Sequence, residues 1–281
     1  MNASKDDIKK LRDMTGCGIA DCKKALEDTN GDFEKAIEYL REKGLAKSVK
    51  KADREASEGR VFGIVEDNCG ILVEINCETD FVGNSKDFRD FGEKVVKILL
   101  EKKVKSSDNI PQEVESLRGE AVLKLNENIK INRIKLLEGD KLHPVITFIQ
   151  MGKDGTIMKF KFDKEVNIDN KIKEILEDIA VTASFYKPTY KVFENIEKEK
   201  LDKEREIIYK ELKNDPKFSN KPDNVLNNII EGKLRKNFQN ECLMELLYYK
   251  DESKNIKTIL GELSKMLNAN VDIEEFYFIK I

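Results

Sequence analysis

The chain has 281 residues, 51 basic and 54 acidic, for a formal net charge of −3, with one His and no Trp. Charged residues make up 37% against a usual share of about 25%, yet the 40% apolar share is enough for real cores, since disorder needs low hydrophobicity together with a large net charge. A single His excludes His-rich zinc sites and two-His metalloprotease helices, near-neutrality argues against bulk capture of nucleic acid, and there is no run of about 18 apolar residues to span a membrane.

Residues 1–44 read as three short helices. Ser4-x-x-Asp7 before Ile8 and Leu11 forms a capping-box-like start, with Ser and Asp oxygens placed to satisfy orphan amides. The acids in this opening stretch, with no apolar core, do not suit a signal peptide. Ile19, Cys22, Ala25 and Leu26 stripe a second helix that stops at Asn30-Gly31. Asp32 can cap a third, carrying Phe33, Ala36, Ile37 and Leu40. The core of such a bundle is thin, so a small module on a tether is expected. From Arg41 to Arg54, six basic residues face Glu42 and Asp53, a surplus of four positive charges. That stretch reads as a solvated linker helix or as a contact to RNA or an acidic partner.

Beyond residue 58 the period becomes two. Strands are expected at 61–66 and 69–78, joined by Asp67-Asn68 turn chemistry, with Cys69, Ile71, Val73, Ile75 and Cys77 on one face. Gly70, Glu74, Asn76 and Glu78 lie on the other, with Leu72 the exception. Helical stretches follow at 85–104 and 112–125. A strand at 129–137 changes apolar parity between Ile131 and Ile134, which suggests a bulge. A second block begins near Gly139, with strands at 145–151 and 156–162 around Lys153-Asp154-Gly155. Helices are expected at 169–184, 193–213, 222–238 and 256–267, and a last strand at 276–281. The class is α+β: a three-helix N-terminal module (1–44), a basic linker (45–57), and two α+β subdomains (58–139 and 140–281). Each subdomain has an antiparallel sheet with packed helices, and the second carries a helical elaboration at about 189–240.

Few residues offer chemistry. Cys17, Cys22, Cys69, Cys77 and Cys242 are odd in number and form no Cys-x-x-Cys, so free buried thiols are expected rather than a metal site. Gly152-Lys153 and Gly232-Lys233 are followed by Asp and Leu, so there is no phosphate loop. Gly63 and Gly70 fall in a hairpin, so there is no dinucleotide fingerprint. His143, beside Pro144, has no adjacent acid and reads as structural. Neither an enzyme nor a cofactor is indicated. The most informative stretch is Glu78-Thr79-Asp80-Phe81-Val82-Gly83-Asn84, where a strand ends shortly before a helix. Phe81 reads either as a side chain folded back onto its own core or as an exposed apolar anchor beside a carboxylate.

Three stretches resemble the elongation factor Ts family, guanine-nucleotide exchange factors of elongation factor Tu. They are Leu11-Arg12-Asp13-Met14-Thr15-Gly16-Cys17-Gly18-Ile19-Ala20-Asp21-Cys22-Lys23-Lys24-Ala25-Leu26, then Asn76-Cys77-Glu78-Thr79-Asp80-Phe81-Val82, and Glu127-Asn128-Ile129 through Leu137-Glu138-Gly139-Asp140. Glu231-Gly232-Lys233-Leu234 is weaker support, and the fit is loosest over 189–240. The resemblance implies a ubiquitin-associated-like N-terminal module docking on the GTP-binding domain of elongation factor Tu through Arg12 and Ile19. It implies that Thr79, Asp80, Phe81 and Val82 enter that domain near its magnesium ion, with Phe81 as wedge and Asp80 as the polar contact. GDP release would follow and GTP would rebind, in the cytoplasm, with no covalent chemistry, no cofactor of the chain's own, and no membrane or DNA partner. This chain has Asn126 where some relatives carry Gly, and Thr182 nearest the place where many carry His. The alternative reading is a docking module or ribosome-associated RNA-binding protein without exchange activity.

Overall fold

Ser4 opens the first helix in the computed structural model, which describes residues 3–218 and 221–281. Its Oγ accepts from the Asp7 amide at 3.0 Å. The Asp7 carboxylate accepts the Ser4 hydroxyl at 2.5 Å instead of reaching a backbone amide. Helices α1 (Lys5–Thr15), α2 (Ile19–Asp28) and α3 (Phe33–Lys51) follow, the last capped by Asp32. Leu11, Cys22, Ala25, Leu26, Ala36 and Leu40 form their shared core.

That core is completed by Leu123, from a helix far along the chain. The expected tether is therefore helix as far as Lys51, and α3 lies along the helix 112–125. The crossing needs glycine: a Cβ on Gly44 would stand 2.4 Å from the Gly119 carbonyl oxygen. Arg41 adds an ion pair to Glu120 at 2.8 Å. Packing, not helix propensity, keeps the basic stretch in place.

Next come β1 (Glu58–Glu66), β2 (Cys69–Cys77), α4 (Asp80–Gly83), α5 (Lys86–Glu101), α6 (Gln112–Leu125) and β3 (Lys130–Glu138). Asp67 and Asn68 both take positive φ, 47° and 60°, which is the type I′ hairpin turn that suits a twisted strand pair. The sheet order is β1-β2-β3, antiparallel throughout, and the expected bulge is present: the β2–β3 register shifts between Val73 and Ile75. Ile71, Val73, Ile75 and Cys77 pack on Phe88, Phe91, Val95 and Leu99 of α5 and on Val114 and Val122 of α6.

The other face of β2 is buried too. The strands β4 (Val145–Gln150), β5 (Asp154–Phe162) and β8 (Val271–Lys280) form a second sheet, ordered β4-β5-β8. Leu72 packs there with Val61, Leu137, Val145, Ile157 and Ile279, which accounts for its departure from the alternation. Glu74 and Asn76 are also buried, and each has a partner: Glu74 takes Arg133, and Asn76 Oδ1 accepts from Asn132 Nδ2 at 2.6 Å. The β4–β5 turn falls at Met151-Gly152, two residues earlier than Lys153-Asp154-Gly155 suggests.

The chain divides into two compact units. One runs to Lys159 and includes Glu274–Ile281; the other is Phe160–Ile273. The second unit holds α7 (Asn170–Tyr186), α8 (Lys198–Asn214), α9 (Asp223–Asn237), the short strands β6 (Leu247–Tyr248) and β7 (Asp251–Asn255), and α10 (Ile256–Leu267). Ile208, Leu212, Leu226, Ile230 and Leu234 join α8 to α9, with Phe193 and Phe238 meeting edge to face at 6.4 Å.

Gly44→Ala tests the helix crossing. Ala is the better helix former by about 1 kcal/mol, so an isolated helix would gain. Here the methyl meets backbone, and stability is expected to fall by about 1–3 kcal/mol, read as a lowered thermal midpoint. A midpoint at or above wild type would mean the two helices can separate freely.

Candidate partner-binding site

β2 ends at Cys77, and two caps turn the chain from strand to helix. Thr79 is the N-cap of α4, its Oγ1 accepting from Val82 N at 3.3 Å. Ser85 caps α5, accepting from Phe88 N at 3.2 Å and donating to the Val82 carbonyl at 2.7 Å. The Cys77 thiol donates to the Thr79 carbonyl at 3.1 Å. Burial pushes that thiol up to about 12, so it stays protonated and inert.

The turn is fastened from outside by Glu127. One oxygen of its carboxylate accepts from the backbone amides of Glu78 and Thr79, each at 3.0 Å; the other accepts the Thr79 hydroxyl at 2.6 Å. Glu78 answers by accepting from Asn128 N at 2.6 Å. Asn128 is fully buried and donates its side-chain amide to the carbonyls of Ala52, at 3.3 Å, and Arg54, at 2.7 Å. Lys51 closes the end of α3 on the Asn126 carbonyl and, at 3.0 Å, on Asn126 Oδ1. Asn126 is the left-handed residue after α6, with φ 58°, a conformation open to Gly or Asn.

Within this frame the two apolar residues separate. Val82 is half-buried and packs on the sheet–helix core. Phe81 is 84% exposed. It does not fold back, so the core reading of Phe81 is set aside. Asp80 and Thr79 are exposed beside it, and among the described residues Asp80 makes no side-chain hydrogen bond or ion pair. Thr79, Asp80, Phe81 and Val82 thus form one ordered turn. Arg12 and Ile19 are exposed elsewhere, in the N-terminal helices, with Ile19 at 57%. No described hydrogen bond or ion pair joins the two groups.

Other candidate chemistry is occupied or buried. His143 Nδ1 lies 2.9 Å from Asp140 Oδ1, so an acid does sit beside it, inside a turn whose Leu142 and His143 amides bind the same oxygen. Among the described residues no cluster of three His, Cys, Asp or Glu could hold a metal. All five cysteines are free. Thr182 is buried and bonded to the Asp178 carbonyl at 2.9 Å. No helix among the described residues is long and apolar enough to cross a membrane.

A family model described as Elongation factor TS matches residues 78–281, starting at the first residue of this turn. The chain belongs to the elongation factor Ts family. It is 37% identical to elongation factor Ts of Aquifex aeolicus, covering 98% of this chain and 97% of that one. It is 35% identical to the same factor of a Nitratiruptor species, covering 98% and 92%, and 33% identical to that of Borrelia hermsii, covering both chains completely. Family membership gives the chain a role in translation elongation.

Glu127 was visible in the sequence only inside a resembling stretch, 48 residues from Thr79. Glu127→Ala is expected to release the turn while leaving the fold intact. Amide hydrogen exchange should accelerate at Glu78, Thr79 and Val82, with a loss of about 1–2 kcal/mol in global stability. Unchanged protection at Thr79 would show that the carboxylate does not hold it.

Proposed function

We propose that this protein is the guanine-nucleotide exchange factor of elongation factor Tu, working in the cytoplasm, and that Phe81 is the group that opens the nucleotide site. The carrying observation is a large aromatic held 84% exposed on a turn fastened by caps and a carboxylate. A loose loop would lose conformational freedom on binding; a fastened one has already lost it, so more contact energy remains for work on the partner.

The partner supplies the nucleotide and its magnesium ion. Magnesium demands near-octahedral coordination and bridges phosphates to protein. Phe81 entering beside that site displaces the elements that support the metal, while Asp80 offers a carboxylate to the polar groups so exposed. Thr79 and Val82 hold the wedge at its root. Arg12 and Ile19 supply a second contact to the GTP-binding domain, which leaves the factor attached while GDP departs and GTP enters. The coupling is reciprocal: factor and GDP each weaken the other's binding by the same ratio. About 4 kcal/mol of coupling equals roughly a thousandfold in affinity. No bond is made or broken in this cycle.

An RNA-binding reading draws less support. Of the six basic residues of 41–54, Arg41, Lys43, Lys47 and Arg54 are in ion pairs with Glu120, Asp21 and Glu78. Lys51 is taken up by Asn126. Five of the six basic side chains therefore have a partner on their own chain, and Lys50 is exposed.

The test is release of labelled GDP from elongation factor Tu with catalytic amounts of this protein; unchanged release would overturn the proposal. Phe81→Ala is expected to lower the maximal release rate roughly 10- to 100-fold, the equivalent of about 1.5–3 kcal/mol for one buried aromatic. Its affinity for nucleotide-free partner should fall less than the rate. A wild-type maximal rate would show that Phe81 is not the wedge.

A further inference from the structure

The turn between β4 and β5 carries an ill-suited residue. Lys153 N donates to the Gln150 carbonyl at 3.0 Å, and Met151 and Gly152 between them have φ of 51° and 75°. Positive φ at both central positions defines a type I′ turn, whose first position favours Asn, Asp or Gly. The β1–β2 turn of this same chain obeys that preference with Asp67 and Asn68. Met has no local side-chain hydrogen bond to offer in such a conformation. Nor does it gain burial, for Met151 is 85% exposed. A lone exposed apolar side chain needs no explanation, but one placed on unfavourable backbone does.

The turn is held rather than loose. Arg60 Nη2 donates to the Met151 carbonyl at 3.1 Å, and Val61 N donates to the Gly152 carbonyl at 2.8 Å. Gly152 lies so near the guanidinium that a Cβ there would fall 2.2 Å from Arg60 Nη2. The same guanidinium reaches the Phe81 turn: Nη1 donates to Asn84 Oδ1 at 3.2 Å, and Asn84 N donates to the Asp80 carbonyl at 2.9 Å. Phe81 and Met151 are the two most exposed large apolar side chains among the described residues, and one arginine ties together the turns that bear them.

We propose that Met151 is a second apolar anchor on the surface led by Phe81, seated on the same GTP-binding partner, with Arg60 setting the spacing between the two. This rests on the reading that Phe81 enters that partner. The occupant follows from continuity. A standard interface covers ~800 Å² on each side, roughly 30 Å across, which is ample to include two turns bridged by a single guanidinium. Interfaces are enriched in Met, and their anchors are ordered side chains inserted in pockets. The two anchors differ in task. Phe81 acts where the nucleotide is displaced. Met151 grips whether or not nucleotide is bound, so it sets how much factor is needed and not how fast the saturated complex releases GDP.

The experiment is stimulated GDP release from elongation factor Tu, titrated with full-length protein and its variants. Met151→Asn removes the apolar group and places a residue suited to the turn, so thermal stability should equal or exceed wild type. The half-saturating concentration is expected to rise about tenfold, with the plateau rate within twofold of wild type. Met151→Leu keeps the apolar bulk and should stay within about threefold of wild type. Half-saturation unchanged in Met151→Asn, while Phe81→Ala lowers the plateau, would overturn the second anchor and leave the Phe81 reading standing. A loss in Met151→Leu equal to that in Met151→Asn would also overturn it. Wild-type protein giving no release would overturn the underlying reading and this inference with it.

Discussion

The Glu127 carboxylate is the contact on which the ordered turn bearing Phe81 depends. It accepts two backbone amides and a hydroxyl from Glu78 and Thr79, the residues that precede an exposed aromatic. Charge-assisted bonds of this kind are roughly twice as strong as neutral ones, and three on one group leave little freedom. Asn128, next in sequence, carries the same joint to the segment after α3 through Ala52 and Arg54. Three remote pieces of chain meet there: the end of α3, the α6–β3 connection and the Phe81 turn. The joint has a penalty, since Asn128 Oδ1 is buried with no hydrogen-bond partner among the described residues. Its two amide donors bind the Ala52 and Arg54 carbonyls, which offsets part of a penalty of about 1–3 kcal/mol.

This construction explains how the N-terminal helices and the Phe81 turn can belong to one body. The first three helices have a thin core of their own, and Leu123 of α6 completes it. Gly44 against Gly119 lets α3 and α6 touch backbone to backbone. Force applied to Arg12 or Ile19 therefore reaches packed helices rather than a flexible linker. A protein that acts by opening its partner benefits from such stiffness, because compliance in the lever would absorb the strain meant for the partner.

Much of the fold was legible in the sequence. The switch of period at residue 58, the turn at Asp67-Asn68 and the parity change between Ile131 and Ile134 each have a local cause, and each is found. Less legible was anything with two distant causes. Leu72 broke the alternation of β2, and the burial of Glu74 and Asn76 was hidden by it, because that strand is covered on both faces, by α5 and α6 on one side and by the second sheet on the other. The β4–β5 turn was misplaced by two residues because Lys153-Asp154-Gly155 looks more like a turn than Met151-Gly152 does. The basic run looked like solvent-facing linker because its ion-pair partners, Glu120, Asp21 and Glu78, lie in other elements.

By itself the sequence determined the element types, the α+β class and the family motif around Thr79 to Val82. Those follow from spacing and turn chemistry, which act over a few residues. Only the tertiary structure decided which of two adjacent apolar residues turns outward. Val82 finds space against the core and Phe81 does not. That choice depends on how much volume the surrounding helices and strands leave unfilled, and on a carboxylate 48 residues away that fixes the turn. Neither quantity is written locally. The low count of catalytic residue types excluded much chemistry, but it could not single out the aromatic beside Asp80 as the exposed one.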